Sequence, residues 1–384
     1  MKKDTIVITC AKGIAPFLKE EVLGLQLPVK SESVAGIITE GDMHDAMRLN
    51  LHIRTGHRVL LLLREFRADG PDDLYRETAQ IRWEEYIAAD GYICVTSSVD
   101  NASIRDSRFA NVKAKDAIVD RFVRTSGRRP DSGPEKNRTV VYVYWKDSYC
   151  SVYLDTSGEP LSRRGYRKLP FRAPMQETLA AAVVMATGWD GTIPFVNPMC
   201  GSGTLALEAA LLALRRPPGL LRLNFGFMHI KGYDRQAWEE IRTEAKKGIL
   251  KGIPGKIIAT DRDPQALDAA RRNAATAGVD HLIDFSQSAF EDTPVPAGNG
   301  VVLLNPEYGE RMGDADALAV VYKGIGDFFK KRCLGYRGYI FTGNLTLAKK
   351  VGLRAKKKTV FFNGDIECRL LEYELYEGSR DKKA

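Results

Sequence analysis

From residue 5 to residue 155, short runs of β-branched and aromatic residues alternate with stretches whose apolar positions recur every three or four residues. The runs predict strands at Thr5–Cys10, Ala35–Thr39, Val59–Phe66, Tyr92–Val99, Thr139–Trp145 and Ser151–Asp155. Helical spacing covers Ala15–Leu25, Asp42–Leu49, Asp73–Gln80 and Asn111–Thr125. The last two strands flank Lys146-Asp147 and read as a hairpin. This half of the chain is expected to form small α+β modules.

Residues 156–173 are basic and punctuated by Gly and Pro, with few apolar residues to anchor a core, and predict a domain boundary. Beyond them the rhythm lengthens. A helix at Pro174–Thr187 precedes a strand at Ile193–Asn197, a Gly-rich turn and a helix at Thr204–Leu214. Strands follow at Lys256–Thr260, Leu282–Gln287, Val301–Asn305, Gly338–Thr342, Thr359–Asn363 and Cys368–Tyr376, with helices at Pro264–Ala277 and Asp316–Cys333. Such alternation implies βαβ units, an open and mostly parallel sheet, and a ligand site at the carboxyl ends of its strands. Arg215–Tyr233 reads as an irregular insertion.

The chain has 384 residues, of which 44% are hydrophobic, enough for more than one packed domain. No apolar stretch approaches the roughly 20 residues of a membrane span, and the first apolar run is too short for a secretion signal. Six scattered cysteines, without a CxxC pair, argue against a zinc site or a disulfide scaffold and fit a reducing, cytoplasmic setting. No metal site and no membrane partner are expected. A net charge of +8 favours polyanionic partners.

Three segments at the ends of successive predicted strands carry candidate chemistry. The first, Asn197-Pro198-Met199-Cys200-Gly201-Ser202-Gly203-Thr204, opens a helix. Its glycines allow close backbone approach, and the helix N-terminus favours a carboxylate or phosphate. Gly201, Gly203 and Ala206 alone also fit a dinucleotide fingerprint, and no Lys stands where a P-loop needs one. In the second, Asp261 ends a strand and suits the paired hydroxyls of a ribose, whereas Asp263-Pro264 suits a helix cap. In the third, Asn305-Pro306-Glu307-Tyr308 brings an amide, a proline carbonyl and an aromatic ring to one rim. That set suits a planar amine, although an ordinary strand exit with a half-buried Tyr would read the same way.

In this order the three segments resemble class I S-adenosylmethionine-dependent methyltransferases that act on exocyclic amines. Closer likeness runs through Arg164-Gly165-Tyr166-Arg167, Glu177-Thr178-Leu179-Ala180-Ala181-Ala182, Pro198–Thr204 and Tyr308-Gly309-Glu310-Arg311. In the first half, Ser103-Ile104-Arg105-Asp106-Ser107 and Lys113–Asp120 extend it. Nearly the whole chain resembles the bacterial 23S rRNA guanine-N(2)-methyltransferase family with an N-terminal THUMP domain. The resemblance implies an α/β Rossmann-like methyltransferase fold at residues 161–384. Before it would come a ferredoxin-like part at 1–55 and a THUMP RNA-binding domain at 56–160. The chain length implies that the second methyltransferase half, fused in some members, is lacking.

The implied cofactor is S-adenosylmethionine, held by Asn197, Met199, Cys200, Gly201, Ser202, Gly203, Thr204, Asp261, Arg262, Ser288 and Asn305. The implied catalytic residues are Asn305, Pro306 and Tyr308. RNA contacts would come from Arg105, Lys113, Lys115, Arg164, Tyr166 and Arg167. The expected substrate is a guanosine in 23S rRNA or its precursor. Alternatives are tRNA, an assembly factor that binds RNA with a weakened catalytic rim, and, on the fingerprint alone, an NAD-dependent oxidoreductase. Two departures stand out. Glu307 replaces the family's second proline, and Ser288-Ala289 stands where many such enzymes place an Asp for adenine.

Overall fold

The computed structural model describes residues 3–104, 106–168, 175–308 and 315–376. Two compact units emerge. One comprises Met1–Cys10, Leu18–Leu161 and Arg222–Ala245, the other Ala11–Phe17, Ser162–Leu221 and Lys246–Ala384.

The first unit is built on β1 (Asp4–Thr9), β2 (Val29–Ser33), β3 (Gly36–Gly41), β4 (Arg58–Arg67), β5 (Tyr92–Asp100), β6 (Asp131–Ser132), β7 (Thr139–Lys146) and β8 (Tyr149–Asp155). These form one sheet in the order β2-β3-β1-β4-β8-β7-β5-β6. The long strand β4 joins its halves. Val59–Leu61 pair with β1, while Leu60–Arg67 pair with β8 across a bulge. Helices α1 (Ala15–Gly24), α2 (Met43–His52), α3 (Pro71–Ala79) and α4 (Ser107–Ser126) complete the modules. The predicted hairpin forms, β7 running antiparallel to β8 with Asp147 in the left-handed region at φ +50°.

The stretch expected as an irregular insertion does more than connect. Residues 222–245 pack on the first unit, where Thr139 Oγ1 donates to the His229 carbonyl at 2.9 Å and Phe227 N donates to the Thr156 carbonyl at 2.9 Å. A Cβ on Gly226 would stand 2.2 Å from the Asp155 carbonyl oxygen, so only glycine permits that approach. Phe225, Phe227 and Trp238 form a buried aromatic cluster with centroids 4.9–5.4 Å apart. Trp238 belongs to an additional helix the sequence reading omitted, found between α6 and α8 below and labelled α7 (Arg235–Lys247).

The second unit has α5 (Glu177–Ala186), β9 (Phe195–Pro198), α6 (Thr204–Ala213), β10 (Ile257–Asp261), α8 (Pro264–Ala277), β11 (Ile283–Gln287), β12 (Val301–Leu304), α9 (Ala315–Arg332), β13 (Arg337–Thr342), α10 (Leu345–Ala348), β14 (Lys357–Asn363) and β15 (Ile366–Glu374). Its sheet runs β11-β10-β9-β12-β13-β15-β14, parallel from β11 to β13 and antiparallel at β15. The order reverses between β9 and β12, which opens a crevice at the carboxyl ends of those central strands. Strands β9 and β12 are buried along their whole length; β12 reads as a continuous apolar run, and β9 is interrupted only by buried Asn197. Among the described residues, no helix is long and apolar enough to cross a membrane. All six cysteines are buried, free thiols.

Candidate active site

All three predicted segments reach the same rim of the second sheet. After β9 the backbone turns sharply: Met199 has φ +56°, Gly201 +55° and Gly203 +84°. Met199 is the costly one, because a side chain in the left-handed region is disfavoured by about 1–2 kcal/mol. A Cβ on Gly203 would lie 2.8 Å from Leu207 Cδ1 and 3.0 Å from Ala270 Cβ, so glycine here lets α6 pack on α8. A Cβ on Gly201 would meet nothing within 4 Å, so its dihedral, rather than crowding, calls for glycine. Cys200 N donates to the Thr260 carbonyl at 2.9 Å, fastening the turn to β10. Burial beside Asp261 pushes the Cys200 thiol well above its ordinary range, which keeps it neutral.

Asp261 sits at the end of β10. Its Oδ2 accepts Gly201 N at 2.9 Å, and its Oδ1 accepts Asp263 N at 3.0 Å. Each oxygen keeps a second acceptor direction. Asp263 caps α8, as its sequence context predicted: its Oδ1 accepts Gln265 N at 2.9 Å, with Pro264 at the first helical position. Arg262 is exposed. Ser288 N donates to the Asp261 carbonyl, while its hydroxyl turns to the Ala289 carbonyl at 2.8 Å.

Asn197 is fully buried and its Nδ2 donates to the Leu303 carbonyl at 2.8 Å, bracing β9 against β12 at the strand-order reversal. Asn305 follows β12. The Oδ1 atoms of both asparagines are buried without a hydrogen-bond partner in the described structure. An orphaned acceptor of this kind costs about 1–3 kcal/mol and marks a place where a donor fits. Pro306 is buried beside Asn305, and Glu307 points to solvent.

Tyr308 is held from two sides. Its hydroxyl accepts Asn363 Nδ2 at 2.9 Å and its carbonyl accepts Asn344 Nδ2 at 3.4 Å. A Cβ on Gly343 would come within 3.0 Å of the ring, so the absent side chain makes room for Tyr308. Asn344, Asn363 and Gly343 were not foreseen. Asn363-Gly364 and Gly343-Asn344 look in sequence like ordinary turn residues.

The basic-aromatic segment expected to meet RNA is corrected by its burial. Arg164 and Tyr166 are each 1% exposed. Both reach buried Glu208 on α6, Tyr166 Oη at 3.0 Å and Arg164 Nε at 3.5 Å. Arg167 is only slightly more open. It donates to Glu177 at 2.9 Å, the Met175 carbonyl at 2.9 Å, Thr204 Oγ1 at 3.2 Å and Ser202 Oγ at 3.4 Å. These side chains therefore brace the glycine turn and the start of α6. A guanidinium there reinforces the anion preference of a helix N-terminus.

In the first unit, Lys113 and Lys115 lie on α4. Lys113 pairs with Asp72 at 3.1 Å and sits over the Tyr75 ring, and Lys115 pairs with Asp116 at 2.6 Å. Arg105 and Arg311 lie outside the described residues. Asp42, His44 and Asp45 converge within 4.8 Å, and the capping box of α2 accounts for the two carboxylates.

Residues 164–372 match the family model described as the RMKL-like methyltransferase domain. The chain belongs to this methyltransferase family. Residues 5–60 match an RlmL ferredoxin-like domain and residues 69–155 a THUMP domain. The chain is 37% identical over 379 residues to the ribosomal RNA large subunit methyltransferase K/L of Syntrophotalea carbinolica, covering 96% of this chain and 53% of that protein. The chain thus spans about half the length of such relatives. A Synechocystis protein provisionally named an RNA methyltransferase is 33% identical, with 96% of each chain covered. A crystal structure provisionally named a methyltransferase and complexed with SAH superposes with a TM-score of 0.89 at 26% identity, covering 99% of this chain and all of that one. The expected fold class therefore holds for both halves.

Proposed function

We propose that this chain transfers a methyl group from S-adenosylmethionine to the exocyclic 2-amino group of a guanosine in 23S ribosomal RNA or its precursor, in the cytoplasm. The observation that carries the reading is the buried, partnerless Oδ1 of Asn305 at the strand-order reversal, beside Pro306 and Tyr308. The family membership, the SAH complex of a structural relative and the ribosomal substrate in the relatives' name support it.

In this reading residues 161–384 are the catalytic domain, and residues 1–55 and 56–160 grip RNA. Asp261 offers its remaining lone pairs to the ribose of the cofactor, and the α6 N-terminus with Arg167 receives its carboxylate. Gly201 allows backbone to approach it closely. When bound, S-adenosylmethionine supplies an electrophilic methyl group on a sulfonium centre.

The chain's own residues handle the acceptor. Guanine's amine is a weak nucleophile because its lone pair is delocalised into the ring. Asn305 Oδ1 accepts one amine hydrogen and the Pro306 carbonyl the other, which orients the nitrogen and favours its pyramidal form. As the N–C bond forms and the methyl group's bond to sulfur breaks with its electron pair left on sulfur, the nitrogen releases one of those two protons to solvent. Tyr308 stacks on the base, which must leave its helix or loop to reach the rim.

Nucleoside mass spectrometry of rRNA and tRNA from cells lacking the protein tests the reading. The expected result is loss of N2-methylguanosine from 23S rRNA, restored by wild type and not by Asn305→Ala. Loss confined to tRNA would move the substrate, and no loss in either would sink the reading.

A further inference from the structure

The second unit also carries a cationic surface away from the motif-bearing rim. That surface lies toward the opposite, amino-terminal end of the sheet. Strand β14 runs parallel to β13, since both are antiparallel to β15. Lys357 and Lys358 therefore sit at the far end of the strand whose other end carries Asn363, the partner of Tyr308. Six residues of strand separate the ends, about 20 Å.

Helix α9 brings Lys330 and Lys331 to the same end, because it finishes just before β13 begins. The turn after α10 adds Lys349 and Lys350 partway along this flank, five and six residues beyond Asn344 at the rim. Its tie to α9 is close: a Cβ on Gly352 would lie 3.6 Å from Lys330 Nζ, and one on Gly326 would collide with the Val351 carbonyl. All six lysines are exposed. Carboxylates facing the group from the same elements are fewer. Glu374 pairs with Lys356, Glu372 stands opposite Lys357 in register, and Asp327 lies one turn before Lys331.

We propose that this basal surface binds the phosphodiester backbone of the RNA substrate, at a distance from the base being methylated. The inference rests on the RNA-methyltransferase reading above. Lysine is a compact cation suited to phosphate, and each phosphate neutralised releases counterions, so the surface acts without reading sequence. The separation from the rim gives it a function in selection. A short oligonucleotide held at Tyr308 does not extend to Lys330, Lys331, Lys357 and Lys358, whereas a folded RNA domain does. Folded substrate is thereby favoured over fragments carrying the same base. Edge-strand lysines also guard sheets against pairing with other chains. That accounts for Lys357 and Lys358 but not for the lysines of α9 and the following turn.

The test uses the full chain with Lys330, Lys331, Lys357 and Lys358 all changed to Gln, and a second variant carrying only Lys330→Gln and Lys331→Gln. The probes are a folded large-subunit rRNA transcript and a short single-stranded oligonucleotide. The expected result for the quadruple variant is at least tenfold weaker binding of the folded transcript and a logarithmic salt slope shallower by roughly 3 to 4. The KM for that transcript rises, with kcat, S-adenosylmethionine affinity and oligonucleotide binding unchanged. The paired α9 variant shows the same pattern, about half as large, and four Lys→Arg changes restore binding. Folded-RNA affinity and salt slope equal to wild type would overturn the proposal, as would aggregation with unaltered RNA affinity. Absence of any methyl transfer by wild type would instead strike at the proposed function, while the salt slopes would still decide the role of this surface.

Discussion

The amide N–H of Gly201 and the carboxylate of Asp261 meet at 2.9 Å, joining the turn after β9 to the end of β10. One carboxylate thus shapes the turn after β9, and under the proposed function it also offers oxygens to the ribose of the cofactor. Asp261→Asn keeps the size but removes the charge and an acceptor. We expect at least a tenfold loss of S-adenosylmethionine affinity by calorimetry. Wild-type affinity would exclude this double role.

Asn305 carries an acceptor that is expensive in the absence of a donor. Asn305→Ala should lower kcat by about 100- to 1,000-fold, the usual size for loss of one group aimed at a transition state. The melting temperature should hold or rise, because the orphaned oxygen is removed. A variant that loses activity by unfolding would show the opposite thermal shift.

Tyr308 is oriented by Asn363 and Asn344, one residue after exposed Glu307, where the family resemblance implies a φ-locked proline. Asn363→Ala should raise the KM for RNA several-fold with a smaller effect on cofactor affinity. Adding Glu307→Pro should recover part of that loss by stiffening the segment. Strictly additive effects in the double variant would show that the two positions do not share this task.

Glu208 anchors Arg164 and Tyr166 in the second unit's interior. Glu208→Ala leaves Arg164 without that buried carboxylate, which typically costs about 3–5 kcal/mol. Chemical denaturation should register a loss of that order. The Tyr166 hydroxyl is held far above its ordinary pKa, chiefly by burial and next by Glu208, so it remains a donor.

His52 closes α2 in the first unit. Burial, then Arg48 and Arg54, lower its pKa to about 4 from an ordinary 6.5. The unfolded chain therefore binds this proton more readily than the folded one. The stabilising contribution is complete above pH 6.5 and falls as pH drops from 6.5 toward 4. Urea unfolding at pH 7 and pH 5 should show the decline, and His52→Gln should flatten it. NMR titration of His52 with a midpoint near 6.5 would refute the mechanism.

Much of the second sheet was legible because its central strands β9, β10, β12 and β13 are buried runs with marked exits. The predicted strands fall within two residues of β9 to β15 at either end. The rim segments were legible for the same reason, since Gly201, Asp261 and Asn305 all follow such runs. Exposed elements were harder. β2 (Val29–Ser33) is a largely exposed edge strand with only one apolar residue, so no alternation announced it. Helix α7 left a readable signal in Trp238, Ile241 and Ala245, obscured by the irregular stretch before it. Arg164, Tyr166 and Arg167 looked like surface because charge usually is. Glu208, the partner of Arg164 and Tyr166, lies more than forty residues away, on a helix whose apolar face hid its one carboxylate. A contact so distant in sequence leaves no local trace.

The return of residues 222–245 to the first unit has a consequence during synthesis. A ribosome that has just released residue 161 has made nearly all of that unit's sheet but not the aromatic cluster that finishes it. Elongation to residue 245 takes on the order of ten seconds at bacterial rates. Through that interval the nascent first unit must persist unfinished, and a chain ending anywhere between residues 162 and 224 would lack all three rings of that cluster.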